Sequence, residues 1–173
     1  MKNRAYRNYI FDFYGTLVDI LTDEKYPVLW DTLGQLYQAY GVAYEGDALK
    51  KAYAKRVDQA RKELIELKGV AYPEIDLAHI FNQLYVDARP QSSNSNQPED
   101  WGQLIAMVFR VLSRKHVTAY PHTKEVLAFL KEQGCRIYLL SNAQAAFTNA
   151  EIDLMELRPY FDAIYLSSDV GIC

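Results

Sequence analysis

Residues 8–19 read NYIFDFYGTLVD. An apolar run covers 9–13 and is interrupted only by Asp12, and Tyr14 and Gly15 follow it directly. A short continuous apolar run that ends at a glycine is typical of a buried strand followed by a tight turn. We therefore predict a strand over 9–13 that carries the Asp12 carboxylate at its end.

Two later apolar runs have the same character, CRIYLL at 135–140 and AIYLS at 163–167. The segment TKEVLAFLKEQG, 123–134, has helical periodicity and closes with a glycine, and 142–161 has the same periodicity up to a proline that stops it. Short apolar strands that alternate with helices predict a layered α/β fold with a parallel sheet.

Residues 21–117 differ, because they show helical periodicity without a strand signal. We predict four helical segments there, joined in part by a polar loop at 89–100 that is rich in Ser, Asn, Gln and Pro. The domain prediction is therefore an α/β core of residues 1–20 and 118–173 and an all-helical insertion of residues 21–117. Tyrosines of the insertion are predicted to pack between its helices: Tyr37, Tyr40, Tyr44 and Tyr53.

Composition favours a small-molecule substrate. The 173 residues are 50% hydrophobic, with a formal charge of −3 and a pI near 5.6. This balance gives no basic surplus for a nucleic acid or an anionic membrane surface. The two cysteines, Cys135 and Cys173, are far apart, and no run approaches about 18 apolar residues. We expect a cytoplasmic protein with no nucleic-acid and no membrane partner.

Polar residues follow two of the predicted strands. Asp12 ends the first strand, and Ser141 and Asn142 follow the second. Because ligands of a parallel sheet bind at the carboxyl ends of its strands, we expect these side chains to meet there. Free backbone N–H groups of the turn at 14–16 would hold an anion while the carboxylate attacks it. Asn142 fits equally an N-cap of the next helix, and Asp19 is predicted to cap the helix after it.

The motifs FDFYGTLVD and, far downstream, YLLSN resemble the first and second motifs of the haloacid dehalogenase superfamily. The helical insertion after the first motif resembles that family's cap domain. The resemblance implies a partial three-layer, Rossmann-like parallel sheet with an all-helical cap. It also implies that Asp12 is a nucleophile that forms a covalent aspartyl intermediate, which water then hydrolyses.

The same resemblance assigns the remaining site residues. Catalytic roles fall on Asp12, Tyr14 and Thr16, and contacts to the substrate or its phosphate fall on Gly15, Thr16, Ser141 and Asn142. In the family's phosphatases, Asp12 and the backbone carbonyl of Tyr14 would also ligate Mg²⁺, whose charge offsets that of the phosphate oxygens.

The tyrosine at position 14 is compatible with more than one reaction of the family. Phosphatases of the family usually carry an acid/base aspartate at this position, and the 2-haloacid dehalogenases carry a tyrosine. A phenol with a pKa of about 10 is a poor base at neutral pH, whereas a departing halide needs no proton. We expect a phosphatase acting on a small phosphorylated metabolite. The alternatives are a 2-haloacid dehalogenase, whose early cap arginine would be Arg56 or Arg61, and a non-catalytic phosphate-binding or interaction module.

The family's third motif is a lysine that follows a segment resembling YLSSDVGIC, and its fourth is an acidic pair; both would lie beyond Cys173. The chain therefore resembles the N-terminal part of a longer family member, and as printed it is expected to be weakly active or inactive. In that case the strand at 9–13 becomes an exposed edge, and we expect self-association through it.

Overall fold

A computed structural model of the protein describes residues 6–90 and 98–170. The prediction for Cys173, and that for most of the polar loop, fall outside the described residues. The chain divides into two compact units: Met1–Leu21 with His116–Val170, and Thr22–Lys115. The first unit combines strands and helices, and the second is mainly helical. The predicted α/β fold with a parallel sheet is confirmed, and the predicted domain limits stay a prediction.

Three of the five described strands, the first and the last two, follow the predicted apolar runs. In chain order they are β1 Asn8–Phe11, β2 Val18–Thr22, β3 Arg114–Ala119, β4 Arg136–Ser141 and β5 Ala163–Leu166. Three of them form a parallel sheet in the order β1-β4-β5, in which Phe11 pairs with Leu139 and Leu139 with Ile164. Since all three strands run in one direction, their carboxyl ends share one edge of this sheet.

The helices have well-defined limits. In chain order they are α1 Pro27–Ala39, α2 Gly46–Lys68, α3 Leu77–Ala88, α4 Trp101–Ser113, α5 Thr123–Glu132, α6 Ala145–Leu154 and α7 Ser167–Val170, with a 3-10 turn at Arg158–Tyr160 between α6 and β5. Gly134 follows α5 with a φ of 71°, the left-handed conformation that ends many helices. Of the described helices, none is long and apolar enough to cross a membrane.

One face of the parallel sheet carries the core of the first unit. Ile137 and Leu139 of β4 pack there with Leu127 of α5, Ile152 of α6 and Phe13 from the turn after β1, and all five are fully buried. Burial of each such side chain contributes about 1.5–3 kcal/mol. This packing fixes β1 and β4 side by side, and with them the residues at their carboxyl ends.

On the opposite face of the sheet, large apolar side chains of the described strands are exposed. Ile10 of β1, Leu140 of β4 and Tyr165 of β5 lie on it and are 66%, 58% and 51% exposed. Among the described residues β1 pairs in the sheet with β4, which leaves β1 at one edge. Self-association through this strand stays a prediction.

The two-stranded sheet of β2 and β3 was not predicted. Asp19 lies within β2, and its carboxylate is 3.0 Å from Nε2 of His116 in β3. The prediction that Asp19 caps a helix is therefore wrong. The reason is that cross-strand pairing fixes the conformation of these short mixed segments, and a local sequence pattern does not report such pairing.

Aromatic packing holds the helical unit together. Tyr37 is fully buried and donates its hydroxyl to the Phe81 carbonyl oxygen at 2.7 Å. The ring of Tyr53 stacks on that of Phe81 with centroids 5.3 Å apart. Desolvation raises the pKa of both tyrosines above the ordinary phenol value. The predicted packing role is confirmed for these two tyrosines.

Candidate active site

A pocket lies at the carboxyl ends of β1 and β4. Its volume is about 290 Å³, and it is lined by Asp12, Tyr14, Leu140, Ser141 and Asn142. Asp12 directly follows β1 and is exposed, whereas Ser141 is the last residue of β4 and is 4% exposed. The structure thus brings together four of the residues singled out from the sequence, at the sheet edge where a ligand site is expected.

The turn after Asp12 is closed by its own backbone. The carbonyl oxygen of Phe13 accepts the N–H groups of Leu17 and Val18 at 2.9 and 3.0 Å. Gly15 has a φ of 77°, a conformation that favours glycine. This geometry turns the chain sharply and leaves the Asp12 side chain exposed beside the pocket.

Two N–H groups of this turn already have partners. Gly15 N–H donates to the Val18 carbonyl oxygen at 2.8 Å, and Thr16 N–H donates to that of Phe13 at 3.4 Å. The expectation that the turn offers free N–H groups to an anion is therefore wrong for Gly15 and Thr16. The side chain of Thr16 is exposed, and its predicted contact with a substrate stays a prediction.

The hydroxyl of Tyr14 contacts two buried side chains of α6. Its hydroxyl donates to Oε2 of Glu151 at 2.5 Å and lies 3.1 Å from Oγ1 of Thr148. Glu151 is 2% exposed and Thr148 is fully buried. Sequence reasoning missed both residues. The available signal was their spacing of three, which places them on one helix face with the apolar Ile152.

The loop after β4 is held by two serines at the start of α7. Ser167 Oγ accepts the N–H of Ala143 at 2.9 Å, and Ser168 Oγ accepts that of Ala145 at 2.7 Å. Because α6 starts at Ala145 and its N-cap is Gln144, the prediction that Asn142 is the N-cap is wrong. The serine bonds satisfy N–H groups at the helix start and hold the loop that carries Asn142 into the pocket.

The sequence matches a family model over residues 6–173, and that model describes a haloacid dehalogenase-like hydrolase. The chain belongs to this family. The haloacid dehalogenase-like motifs recognised in the sequence, FDFYGTLVD and YLLSN, contribute Asp12 and Ser141 to the pocket. No curated protein matches the sequence.

Solved structures similar to this chain include both dehalogenases and phosphatases. A dehalogenase is 20% identical with a TM-score of 0.46, over 98% of this chain and 66% of that one. L-2-haloacid dehalogenase from Xanthobacter autotrophicus is 17% identical with a TM-score of 0.42, over 96% and 59%. A predicted phosphoglycolate phosphatase from Haemophilus somnus 129pt is 16% identical with a TM-score of 0.39, over 94% and 63%. The chain therefore spans less than two thirds of the length of each.

The resemblance to the family's phosphatases implies a magnesium ion in the pocket. The pocket offers few side chains that could bind it. Asp12 is the one carboxylate among the residues that line the pocket. Within residues 6–90 and 98–170, no three His, Cys, Asp or Glu side chains come together as metal ligands. Mg²⁺ requires six oxygen ligands in near-octahedral geometry. Proteins commonly hold this ion through one or two carboxylates while it keeps several waters, and Asp12 would provide one such carboxylate. A role for magnesium stays a prediction.

The two arginines considered as substrate ligands both lie in α2. Arg61 forms an exposed ion pair with Asp58 at 3.4 Å, the kind of surface pair that contributes about 0–1 kcal/mol. Nε of Arg56 is buried without a hydrogen-bond partner. A substrate contact by either Arg56 or Arg61 stays a prediction.

Proposed function

We propose that this chain carries the nucleophile of a hydrolase, that Asp12 is that nucleophile, and that the substrate is a small phosphorylated metabolite with a good leaving group. The supporting observation is the exposed Asp12 carboxylate in a pocket whose buried Ser141 supplies a hydroxyl. A carboxylate oxygen has lone pairs with which it can attack an electrophilic centre. In this proposal, the Ser141 and Thr16 hydroxyls and the Asn142 amide orient the transferred group.

The proposed reaction has two displacement steps. An Asp12 carboxylate oxygen attacks phosphorus, and the bond from phosphorus to the leaving oxygen breaks with its electron pair remaining on that oxygen. Water then attacks the phosphorus of the aspartyl phosphate, which releases inorganic phosphate, gives its proton to solvent and restores the carboxylate. Splitting the hydrolysis in this way replaces one difficult step by two easier ones.

Tyr14 limits the substrates that suit this site. Its hydroxyl proton is directed to Glu151, so the leaving oxygen departs without a proton from this residue. A positioned general acid contributes about 10²–10⁴ in rate, and its loss affects basic leaving groups most. We therefore propose acyl or aryl phosphates, whose leaving groups are stable anions, in preference to sugar phosphates.

The same observation favours a second candidate, a 2-haloacid dehalogenase. Halide leaves as a stable anion, so displacement of a carbon–halogen bond by Asp12 requires no acid. Water would then attack the acyl carbon of the resulting ester, and the 2-hydroxy acid would leave with the oxygen that had belonged to Asp12. This candidate requires neither an acid/base at Tyr14 nor an aspartyl phosphate.

A substrate panel tests the leaving-group requirement. We expect kcat/KM for acetyl phosphate and 4-nitrophenyl phosphate to exceed that for glucose 6-phosphate by about 10²–10⁴, the contribution of a missing acid. 2-Chloropropionate is included for the second candidate. Equal values for glucose 6-phosphate and 4-nitrophenyl phosphate would contradict the proposal.

The panel needs a matched control that removes a different carboxylate. Asp19→Asn serves, because Asp19 is partly exposed in β2 and its ion pair with His116 is exposed. Activity that Asp12→Asn abolishes and Asp19→Asn retains belongs to the proposed site. Which compound is the natural substrate would depend on the helical unit Thr22–Lys115, to which we assign the role of the cap domain.

A further inference from the structure

The side chain of Glu151 is buried, in surroundings that disfavour a charged group. It is 2% exposed, within α6, and it accepts the hydroxyl of Tyr14 at 2.5 Å. An ionised carboxylate loses favourable hydration in the protein interior unless hydrogen bonds replace it. An apolar residue of similar size would avoid this cost, so the presence of a carboxylate beside a pocket residue indicates a purpose other than stability.

Thr148 is a second partner of the phenol. Its Oγ1 lies 3.1 Å from the Tyr14 hydroxyl oxygen. A phenol has a single proton, and since that proton goes to Glu151, the Thr148 hydroxyl is the donor of the second bond. The phenolic proton and one lone pair are thereby both engaged with α6, while Tyr14 still lines the pocket beside Asp12.

We infer that Glu151 is a positioning residue: through its hydrogen bond it fixes the Tyr14 ring as a wall of the pocket and keeps the phenolic proton from the leaving group. Glu151 thereby sets the preference for leaving groups that depart as anions. The inference rests on the proposed function, since it takes the reaction to occur beside Asp12. When Glu151 is replaced, the phenolic proton loses this acceptor, and donation to the leaving group then competes with the remaining contacts of the phenol.

The hydrogen bond is tested first, by a measurement that needs no activity. Melting temperatures are compared for Tyr14→Phe, Glu151→Leu and the double variant. Each single change leaves the other polar group buried without this partner, whereas the double change replaces both groups by apolar ones. We expect the loss in the double variant to be smaller than the sum of the two single losses; a loss equal to the sum would overturn the inference.

The role is tested by the dependence of log kcat on leaving-group pKa across a series of aryl phosphates. We expect this dependence to be steep for the natural protein and for Tyr14→Phe, with kcat for Tyr14→Phe lower by less than about 100-fold throughout. Glu151→Leu should reduce the slope of log kcat against leaving-group pKa. Glu151→Gln, which keeps an acceptor oxygen, should have the same steep slope as the natural protein. A merely structural role of Glu151 would change kcat equally for all leaving groups.

Two results would overturn the role. If Tyr14→Phe loses about 10²–10⁴ in kcat on poor leaving groups alone, Tyr14 is the acid and Glu151 does not withhold its proton. If Glu151→Leu leaves the dependence unchanged, Glu151 does not set the preference. Failure of the proposed function is distinguished by two observations. No variant with an intact Asp12 would turn over substrate faster than Asp12→Asn, and the melting temperatures would still show coupling between Tyr14 and Glu151.

Discussion

We expect Asp12→Asn to lower kcat by about 10⁴-fold or more, because in the proposed mechanism the amide is not a nucleophile and no covalent intermediate would form. The change is isosteric and the side chain is exposed, so the fold is retained. Surface substitutions of this kind alter stability by about 0.5 kcal/mol or less. The measurement is steady-state turnover of the best substrate of the panel, with circular dichroism and a melting curve on the same preparations.

The control for this experiment is the carboxylate seven residues further along. Asp19→Asn makes the same chemical change in β2, and its exposed pairing with His116 contributes little to stability. We expect turnover within about twofold of the natural protein, because the change affects a surface ion pair only. Turnover by a folded Asp12→Asn protein at the rate of Asp19→Asn would exclude Asp12 as the nucleophile.

Phe81→Ala lowers the free energy of unfolding of the helical unit by about 3–5 kcal/mol. Phe81 is fully buried in α3, stacks on Tyr53, and contacts the ring of Phe109 with centroids 5.4 Å apart. Removing its ring leaves a cavity between three helices that the surrounding aromatic rings fill only in part. Urea unfolding followed by the helical circular dichroism signal measures the loss.

Val86→Ala is the matched variant in the same helix. Val86 is 51% exposed, so its truncation removes little buried surface and also raises helix propensity. We expect a change within about 0.5 kcal/mol. A Phe81→Ala protein as stable as Val86→Ala would mean that the aromatic cluster does not form the core of this unit.

Much of the fold was predictable because burial leaves a direct pattern in the chain. The parallel strands at Asn8–Phe11, Arg136–Ser141 and Ala163–Leu166 coincide with the apolar runs, and helices lie between each run and the next. The pocket followed from the same pattern, since the first polar residue after each strand lies at the carboxyl edge of the sheet. Asp12 and Ser141 were found in this way.

The remaining features depend on contacts between residues far apart in the chain. Tyr14 and Glu151 are separated by 137 positions, and their hydrogen bond depends on how α6 is rotated against the turn. The engaged N–H groups of Gly15 and Thr16 depend on the closure of that turn, and β2 and β3 depend on mutual pairing. Local periodicity reports none of these arrangements. The one local signal is the position of Glu151 in α6, where the helical spacing places a charged residue on the buried face.

The nucleophilic role of Asp12 is tested most directly by a single turnover in water enriched in oxygen-18, with the protein in excess over substrate and the peptide containing Asp12 analysed by mass spectrometry. With an aryl phosphate, water attacks phosphorus, so we predict label in inorganic phosphate and none in Asp12. With 2-chloropropionate, water attacks the acyl carbon of the ester, so we predict one labelled oxygen in Asp12. An aspartyl phosphate on Asp12, trapped by acid before its hydrolysis, is the predicted companion of the first result. Turnover of both substrates with no covalent adduct on Asp12 and no label in its carboxylate would contradict the account.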